Sequence, residues 1–259
     1  MGLKIHPTAI VAQRAVLGED VSVEPYAIVG EDVKIGSGTW IGAYAVLEGW
    51  TEIGENCQIH HHAVIGSPPQ DIKYRGEKTL VQIGDNTIIR EFATINRATT
   101  GFGGRTVLGK GDFIMAYAHV AHDCLIGNHV IMANLATLAG HVEVEDYAII
   151  GGLTAVHQFV KIGKYAIVGG CSAVLKDIPP YVKAQGNRAK LYGLNTVGLH
   201  RHGFSPDTMR RLKEAYRILF QSGLNTSQAL ERVEREVKPC PEVEYLIAFI
   251  KSSKRGICK

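Results

Sequence analysis

The chain has 259 residues, 46% of them hydrophobic and 20% charged, with a formal net charge of +3; this composition excludes disorder and describes a core-forming protein. No apolar stretch approaches the ~20 residues of a membrane-spanning helix, and Met1, Gly2, Leu3 and Lys4 open no apolar signal segment, so a cytoplasmic protein is expected. Five scattered cysteines, Cys57, Cys124, Cys171, Cys240 and Cys258, form no C-x-x-C pair and read as small buried hydrophobes, neither a disulfide framework nor a zinc knot.

From the N-terminus an aliphatic residue recurs every sixth position: Ile5, Val11, Leu17, Val23, Val29, Ile35, Ile41, Leu47, Ile53, Ile59 and Ile65. The register lapses over an inserted loop at 66–82 and returns at Ile83, Ile89 and Ile95. A second inserted loop, 98–106, breaks it again, and it resumes one residue out of phase at Leu108, Ile114 and Val120, running on to Val174. The position four later is usually small or β-branched, as at Ala9, Ala15, Val21, Ala118 and Ala136. A period of six is neither helical nor plain strand alternation; it is the signature of a parallel β-helix in which three hexads close one triangular coil of 18 residues. Glycines after the aliphatic residue, such as Gly18, Gly36 and Gly54, are expected to ease the corners. Known hexapeptide-repeat families coil to the left, against the usual right-handed preference for crossovers.

The pattern stops before Pro179 and Pro180, and from Ala189 the period becomes helical. Ser205, Pro206 and Asp207 read as a cap with proline at the first helical position, followed by the stripe Met209, Leu212, Tyr216 and Leu219 and a stop at Ser222 and Gly223. A second helix is expected over Thr226–Val237 and a third after Pro241. The fold is thus a mainly β left-handed parallel β-helix over 1–188 with an α-helical C-terminal domain over 189–259. From Tyr181 onward 15 Lys and Arg stand against 7 Asp and Glu, a local charge of +8 that leaves −5 for residues 1–180. Such a basic region is either a solvated face or a steering surface for an acidic partner. β-helices of this length commonly trimerise, which places sites in clefts between subunits.

Candidate chemistry lies with the histidines. The hexads beginning at Val120, Leu138 and Val156 are 18 apart and stack on one wall; they carry His122, His141 and His157, with His119 and Asp123 beside them. Two uses compete: a zinc site made of neutral imidazoles, or a general base whose tautomer a carboxylate fixes. Hexapeptide-repeat carbonic anhydrases place two zinc-binding histidines five residues apart. No pair among His6, His60, His61, His62, His119, His122, His129, His141, His157, His200 and His202 has that separation, so spacing favours the base.

The stretches His119-Val-Ala-His122-Asp123-Cys124, Leu138-Ala-Gly140-His141-Val142, Ile149-Ile-Gly-Gly152, Ala155-Val-His157-Gln158-Phe159, Gly169-Gly-Cys171-Ser172 and Pro179-Pro-Tyr-Val182 resemble those of bacterial UDP-N-acetylglucosamine acyltransferases. So do Pro69-Gln70-Asp71 with Lys73-Tyr74, and Gly203-Phe204-Ser205. The resemblance covers essentially the whole chain. It implies transfer of an (R)-3-hydroxyacyl group from acyl carrier protein to the 3-hydroxyl of UDP-N-acetylglucosamine, the first step of lipid A biosynthesis, by a homotrimer needing no metal or cofactor and binding no nucleic acid.

By the same resemblance His122 is the general base, Asp123 its orienting partner and the Gly140 N–H the oxyanion donor, while His119, His141, His157 and Gln158 meet the substrates. Gln70, Asp71, Lys73, Asn195 and Arg201 hold the nucleotide, and Gly170 sets the depth of the acyl cleft, a glycine leaving room for a longer chain. Two positions depart from the family: a histidine commonly stands where Asn96 does, and a basic pair appears here as Arg201-His202. Some members take an acceptor with a 3-amino group, so both acceptors stay open at this point, with a zinc hydratase as the third reading.

Overall fold

A computed structural model describes residues 2–259, apart from the side chain of Phe102. Two-residue strands alternate with two-residue turns, and each strand pairs in parallel with the one a full coil later, as in Ile5↔Val23 and Val120↔Leu138. The result is a left-handed parallel β-helix with three flat walls of eleven, nine and eight strands. Stacking at the ~4.8 Å of hydrogen-bonded strands brings like side chains into columns. The hexad aliphatics fill the prism: Ile41, Leu47, Ile59, Ile65, Ile89, Ile95, Ile114, Leu138 and Ile150 have no accessible surface. The first coil has a neighbour on one side only, so Ile5 stays 42% exposed although it obeys the pattern.

The glycines after the aliphatic residues serve a different purpose from the expected one. They do not adopt positive φ; they let successive coils touch, since a Cβ on Gly36 would stand 2.5 Å from the backbone carbon of Gly54 in the next coil. The turns themselves use left-handed residues that carry side chains, among them Tyr26, Tyr44, His62, Phe92 and Tyr117 at one corner and Asp123, His141 and Phe159 at another, with φ of 59 to 63°. That conformation costs about 1–2 kcal/mol per residue. Ring stacking offsets part of it: the column from Tyr26 to Tyr117 has centroid spacings of 4.8 to 5.0 Å, each contact being worth ~0.5–1.5 kcal/mol.

Both excursions leave the prism at the corner between the second and third walls. Pairing spans 30 residues at Ile59↔Ile89 and 25 at Ile95↔Val120 in place of 18, yet the register is kept. Strands hold nearer to the excursions than the hexad pattern indicates, because Val64–Ser67 and Leu80–Ile83 flank the first and Thr94–Asn96 and Arg105–Leu108 the second. The prism also continues past the expected change of period. Val182–Gln185 adds to the first wall and Lys190–Leu194 returns antiparallel to it, so residues 190–194 are a strand that closes the sheet edge and not the start of a helix.

Four helices follow: α1, Thr196–Arg201; α2, Pro206–Gln221; α3, Thr226–Glu236; and α4, Pro241–Ser252. Ser205 caps α2 through the Thr208 N–H, with Pro206 in the first turn, and Asn225 and Gln228 form a reciprocal capping box on α3. The sequence pattern gave no sign of α1. The helices are tied to the prism by Tyr245, whose hydroxyl donates to Glu145 at 2.7 Å, and by buried Asp177. The latter accepts from Ser253 Oγ at 2.6 Å, and its carbonyl accepts from the Cys258 N–H at 2.9 Å.

Several interior positions are polar, among them Thr39, Thr87 and Thr154, and one of them, Asp112, carries a carboxyl. Asp112 is 1% exposed; its Oδ1 accepts from the Val130 N–H while Oδ2 has no partner. Burial, only partly offset by the backbone donors Val130 and Gly109, pushes its carboxyl up to about 7. A carboxyl raised above its unfolded value holds its proton more tightly when folded, so its contribution is full below the unfolded value of 3.8 and is lost as pH rises from there to about 7. Asp112→Asn should therefore gain more over the wild type in melting temperature at pH 8.5 than at pH 5; an equal difference at both pH values would contradict this.

Candidate active site

The site grows from the corner above the two excursions. Asp123, His141 and Phe159 occupy equivalent left-handed positions 18 apart, and the N–H of His141 donates to the carbonyl of His122 at 3.0 Å, locking two coils together. The His141 and Phe159 rings stack at 4.5 Å, and His122 meets His141 edge-on at 5.0 Å and 87°. His122 Nδ1 lies 2.8 Å from Asp123 Oδ2. An ionised carboxylate only accepts, so the proton sits on Nδ1 and the Nε2 lone pair is left as a base.

Charge in this corner is controlled by burial and by donors. Burial pushes the Asp123 carboxyl up, but bonds from His122 and from the N–H and hydroxyl of Thr99 outweigh it and hold the group below its ordinary range. Burial lowers His141, with Asp123 and the more distant Asp71 pulling it back up and His122 pushing it further down. His119 is lowered by burial and then by the charge of His122, and its Nδ1 pairs with Thr94 Oγ1 at 2.7 Å. His122, Asp123 and His141 offer ligand atoms within 4.8 Å of one another, close enough to hold a metal ion.

Gly140 lies directly against the His122 ring. A Cβ there would come 2.5 Å from His122 Cε1, so only glycine leaves the imidazole its place. Its N–H donates to no group among the described residues.

The first excursion reaches toward this corner from a rigid root. Arg97 donates to Tyr74 Oη at 3.0 Å and to the Gly66 carbonyl at 2.7 Å, and its guanidinium faces the Trp50 and Tyr74 rings at 5.7 and 5.5 Å. Asn96, 5% exposed, donates to the Pro68 carbonyl at 2.9 Å and so braces the loop from inside the prism. Within the loop, Asp71 accepts from the Lys73 N–H at 2.8 Å, while Gln70 and Lys73 are exposed.

Of the residues singled out from sequence, the structure brings together His122, Asp123, Gly140 and His141, with His119 and Asp71 near them. His157 and Gln158 are exposed one coil further, His157 Nδ1 lying 3.1 Å from the Gln158 carbonyl oxygen. Gly170 lies at the opposite edge of the second wall, between Ile167–Val168 and Ala173–Val174. Asn195 is buried; it donates to the Tyr165 carbonyl and caps α1, which ends at exposed Arg201. Sequence reasoning missed Thr99, Thr106 and Arg97, whose only signal was their place at the edges of the excursions.

A hexapeptide-repeat prism with a histidine–carboxylate pair at a coil corner belongs to the acyltransferases built on this repeat. Residues 32–67 match the bacterial transferase hexapeptide profile, and 177–258 match domain 2 of UDP-N-acetylglucosamine O-acyltransferase. The chain is 55% identical over 256 residues, 99% of both chains, to the acyl-[acyl-carrier-protein]–UDP-N-acetylglucosamine O-acyltransferase of Thermodesulfovibrio yellowstonii. The same enzyme of Syntrophobacter fumaroxidans is 51% identical over 99% of this chain and 100% of its own. Among solved structures, UDP-N-acetylglucosamine acyltransferase from Campylobacter jejuni superposes with a TM-score of 0.93 at 44% identity, covering 98% of this chain and 99% of that one. The Francisella novicida enzyme gives 0.95 at 37%, covering 98% and 93%. The chain belongs to the UDP-N-acetylglucosamine acyltransferase family.

Gly140→Ala should cost on the order of a hundredfold in turnover, the scale of a displaced catalytic group, with the melting temperature little changed. Wild-type turnover in that variant would show that the ring is not held where the site needs it.

Proposed function

We propose that this acyltransferase moves an (R)-3-hydroxyacyl group from the thioester of acyl carrier protein to the 3-hydroxyl of UDP-N-acetylglucosamine, opening lipid A biosynthesis, with His122 as general base. The observation that carries the reading is the 2.8 Å pairing of His122 Nδ1 with buried Asp123, which leaves Nε2 free to accept a proton. A sugar hydroxyl is a poor nucleophile. Nε2 removes its proton as the oxygen attacks the thioester carbonyl, a contribution of about 10²–10⁴ in rate. The carbonyl oxygen takes up the negative charge opposite the Gly140 N–H. Collapse of the tetrahedral adduct breaks the C–S bond, and the imidazolium returns its proton to the leaving sulfur. Asp123 stays ionised throughout and stabilises the imidazolium.

For the acceptor, His141 and the exposed His157 and Gln158 line the approach to the base, and His119 backs it. Gln70, Asp71 and Lys73 close over the nucleotide from the first excursion. Arg201 suits a diphosphate through its planar fork of donors, and Asn195 acts through α1 by fixing the turn that carries Arg201.

Within one chain Gly170 and His122 occupy opposite edges of a wall. A homotrimer with its sites between prisms unites them. The corner column is the surface that supports this reading: Tyr26, Tyr44, Phe92, Tyr117, Leu135 and Leu153 are 42 to 60% exposed in the single chain, an apolar stripe of the kind that marks an interface. The basic C-terminal domain fits an acidic carrier protein. No helix among the described residues is long and apolar enough to cross a membrane, and the reading places the enzyme in the cytoplasm.

The deciding assay incubates purified protein with a panel of 3-hydroxyacyl carrier proteins and UDP-N-acetylglucosamine and reads products by mass spectrometry; absence of acylated sugar nucleotide defeats the reading. His122→Ala should lower turnover by about 10²–10⁴ without altering the trimer seen by analytical ultracentrifugation. Replacing Gly170 with Met should shift the preferred donor to shorter chains, and an unchanged donor profile would remove Gly170 from the acyl cleft. Chelation should leave turnover intact; loss restored by zinc would reassign His122, Asp123 and His141 to a metal.

A further inference from the structure

The second excursion has no role in the reading above, yet both of its roots end on the same residue. On the way out of the prism, Thr99 donates to Asp123 Oδ2 twice, from its N–H at 3.1 Å and its hydroxyl at 2.8 Å. On the way back, fully buried Thr106 accepts from the Asp123 N–H at 2.9 Å through Oγ1. We propose that this excursion is a brace for the catalytic carboxylate, in which Thr99 is a positioning residue that fixes Asp123 Oδ2 and, through it, the His122 imidazole. The inference rests on the reading of His122 as base.

Two features make the brace necessary. The Asp123 side chain is buried, so water cannot hold it. Among the described residues its Oδ1 has no hydrogen-bond partner, which puts the bonding on Oδ2, where Thr99 supplies two of the three short donors and His122 the third. Without the Thr99 hydroxyl the carboxylate can turn about its Cβ–Cγ bond, and the Nδ1–H bond that sets the tautomer and direction of His122 weakens with it. The two ends hold Asp123 differently: Thr106 fixes its backbone N–H, as Thr39 and Thr87 fix those of Cys57 and Asp112, while of the two only Thr99 holds its carboxylate.

The test compares Thr99→Val with Thr99→Ser. Val should lose on the order of tenfold in kcat, the worth of one hydrogen bond to a charged group, with KM for both substrates within about twofold. Ser should recover most of the loss. In an Asp123→Asn background the Val change should have little further effect, because the group it positions is already disabled. Thr99→Ala with a thermal melt covers the case in which Val does not fold. Wild-type kcat in Val, a Ser variant as impaired as Val, or a full loss in the Asp123→Asn background would each overturn the brace. Failure of the base itself is read separately, from His122→Ala: an inactive His122→Ala beside a normal Thr99→Val rejects the brace alone.

Discussion

Everything in this molecule depends on one constraint, that residues a coil apart superpose. Parallel pairing fixes the rise between coils, and each corner then brings like atoms to nearly the same position in projection. A side chain at a corner is therefore stacked on its equivalents whether or not it has any affinity for them. Where it does, the prism gains: the rings from Tyr26 to Tyr117 share a column, and the corner amides bond to carbonyls one coil below, as His62 does to Ala43. Where the equivalents are Asp123, His141 and Phe159, the same stacking packs a carboxylate, an imidazole and a phenyl ring closely enough to perform chemistry. Two coils that drifted by one residue would turn His141 away from His122.

The excursions respect this constraint by inserting at a corner and rejoining in register. The four-residue strands Trp50–Ile53, Leu80–Ile83 and Arg105–Leu108 pair side by side across the breaks, so the wall is at its most continuous where the chain has departed and returned. Loops are where binding residues accumulate, and a rigid support is what makes them accurate. Here Asn96 and Arg97 hold the root of the first excursion and Thr99 reaches the carboxylate, which ties the approach to the site and the base to the same short stretch of chain.

Much of this was legible in the sequence, for a definite reason. The step of six from Ile5 onward fixed the prism, and the interval of 18 among the histidine-bearing hexads brought His122 and His141 together before any coordinates. The limits were equally physical. Period says which residues stack but not which way a side chain leans, so His157 shares the wall without joining His122. Glycine does stand at some corners, as Gly38 and Gly111 do, but the corners also tolerate tyrosine and histidine because stacking supports them, and Gly18, Gly36 and Gly54 serve contact between coils instead. Lys190–Leu194 escaped because a single returning strand has no hexad to announce it. Thr99 and Thr106 lie in segments whose length breaks the period, and only the folded chain shows that both turn back to Asp123.

The ties between Asp177 and residues 253–258 bear on how the chain is made. A solenoid can assemble coil by coil behind the ribosome, each new turn settling on the finished one. The uppermost turn is different, because the partners of Asp177 are encoded 76 positions later. Until Cys258 has emerged, that turn keeps an open edge next to the basic end of the molecule, and the moment of greatest exposure to misassembly falls late in synthesis, after the corner that holds His122 and Asp123 is already complete.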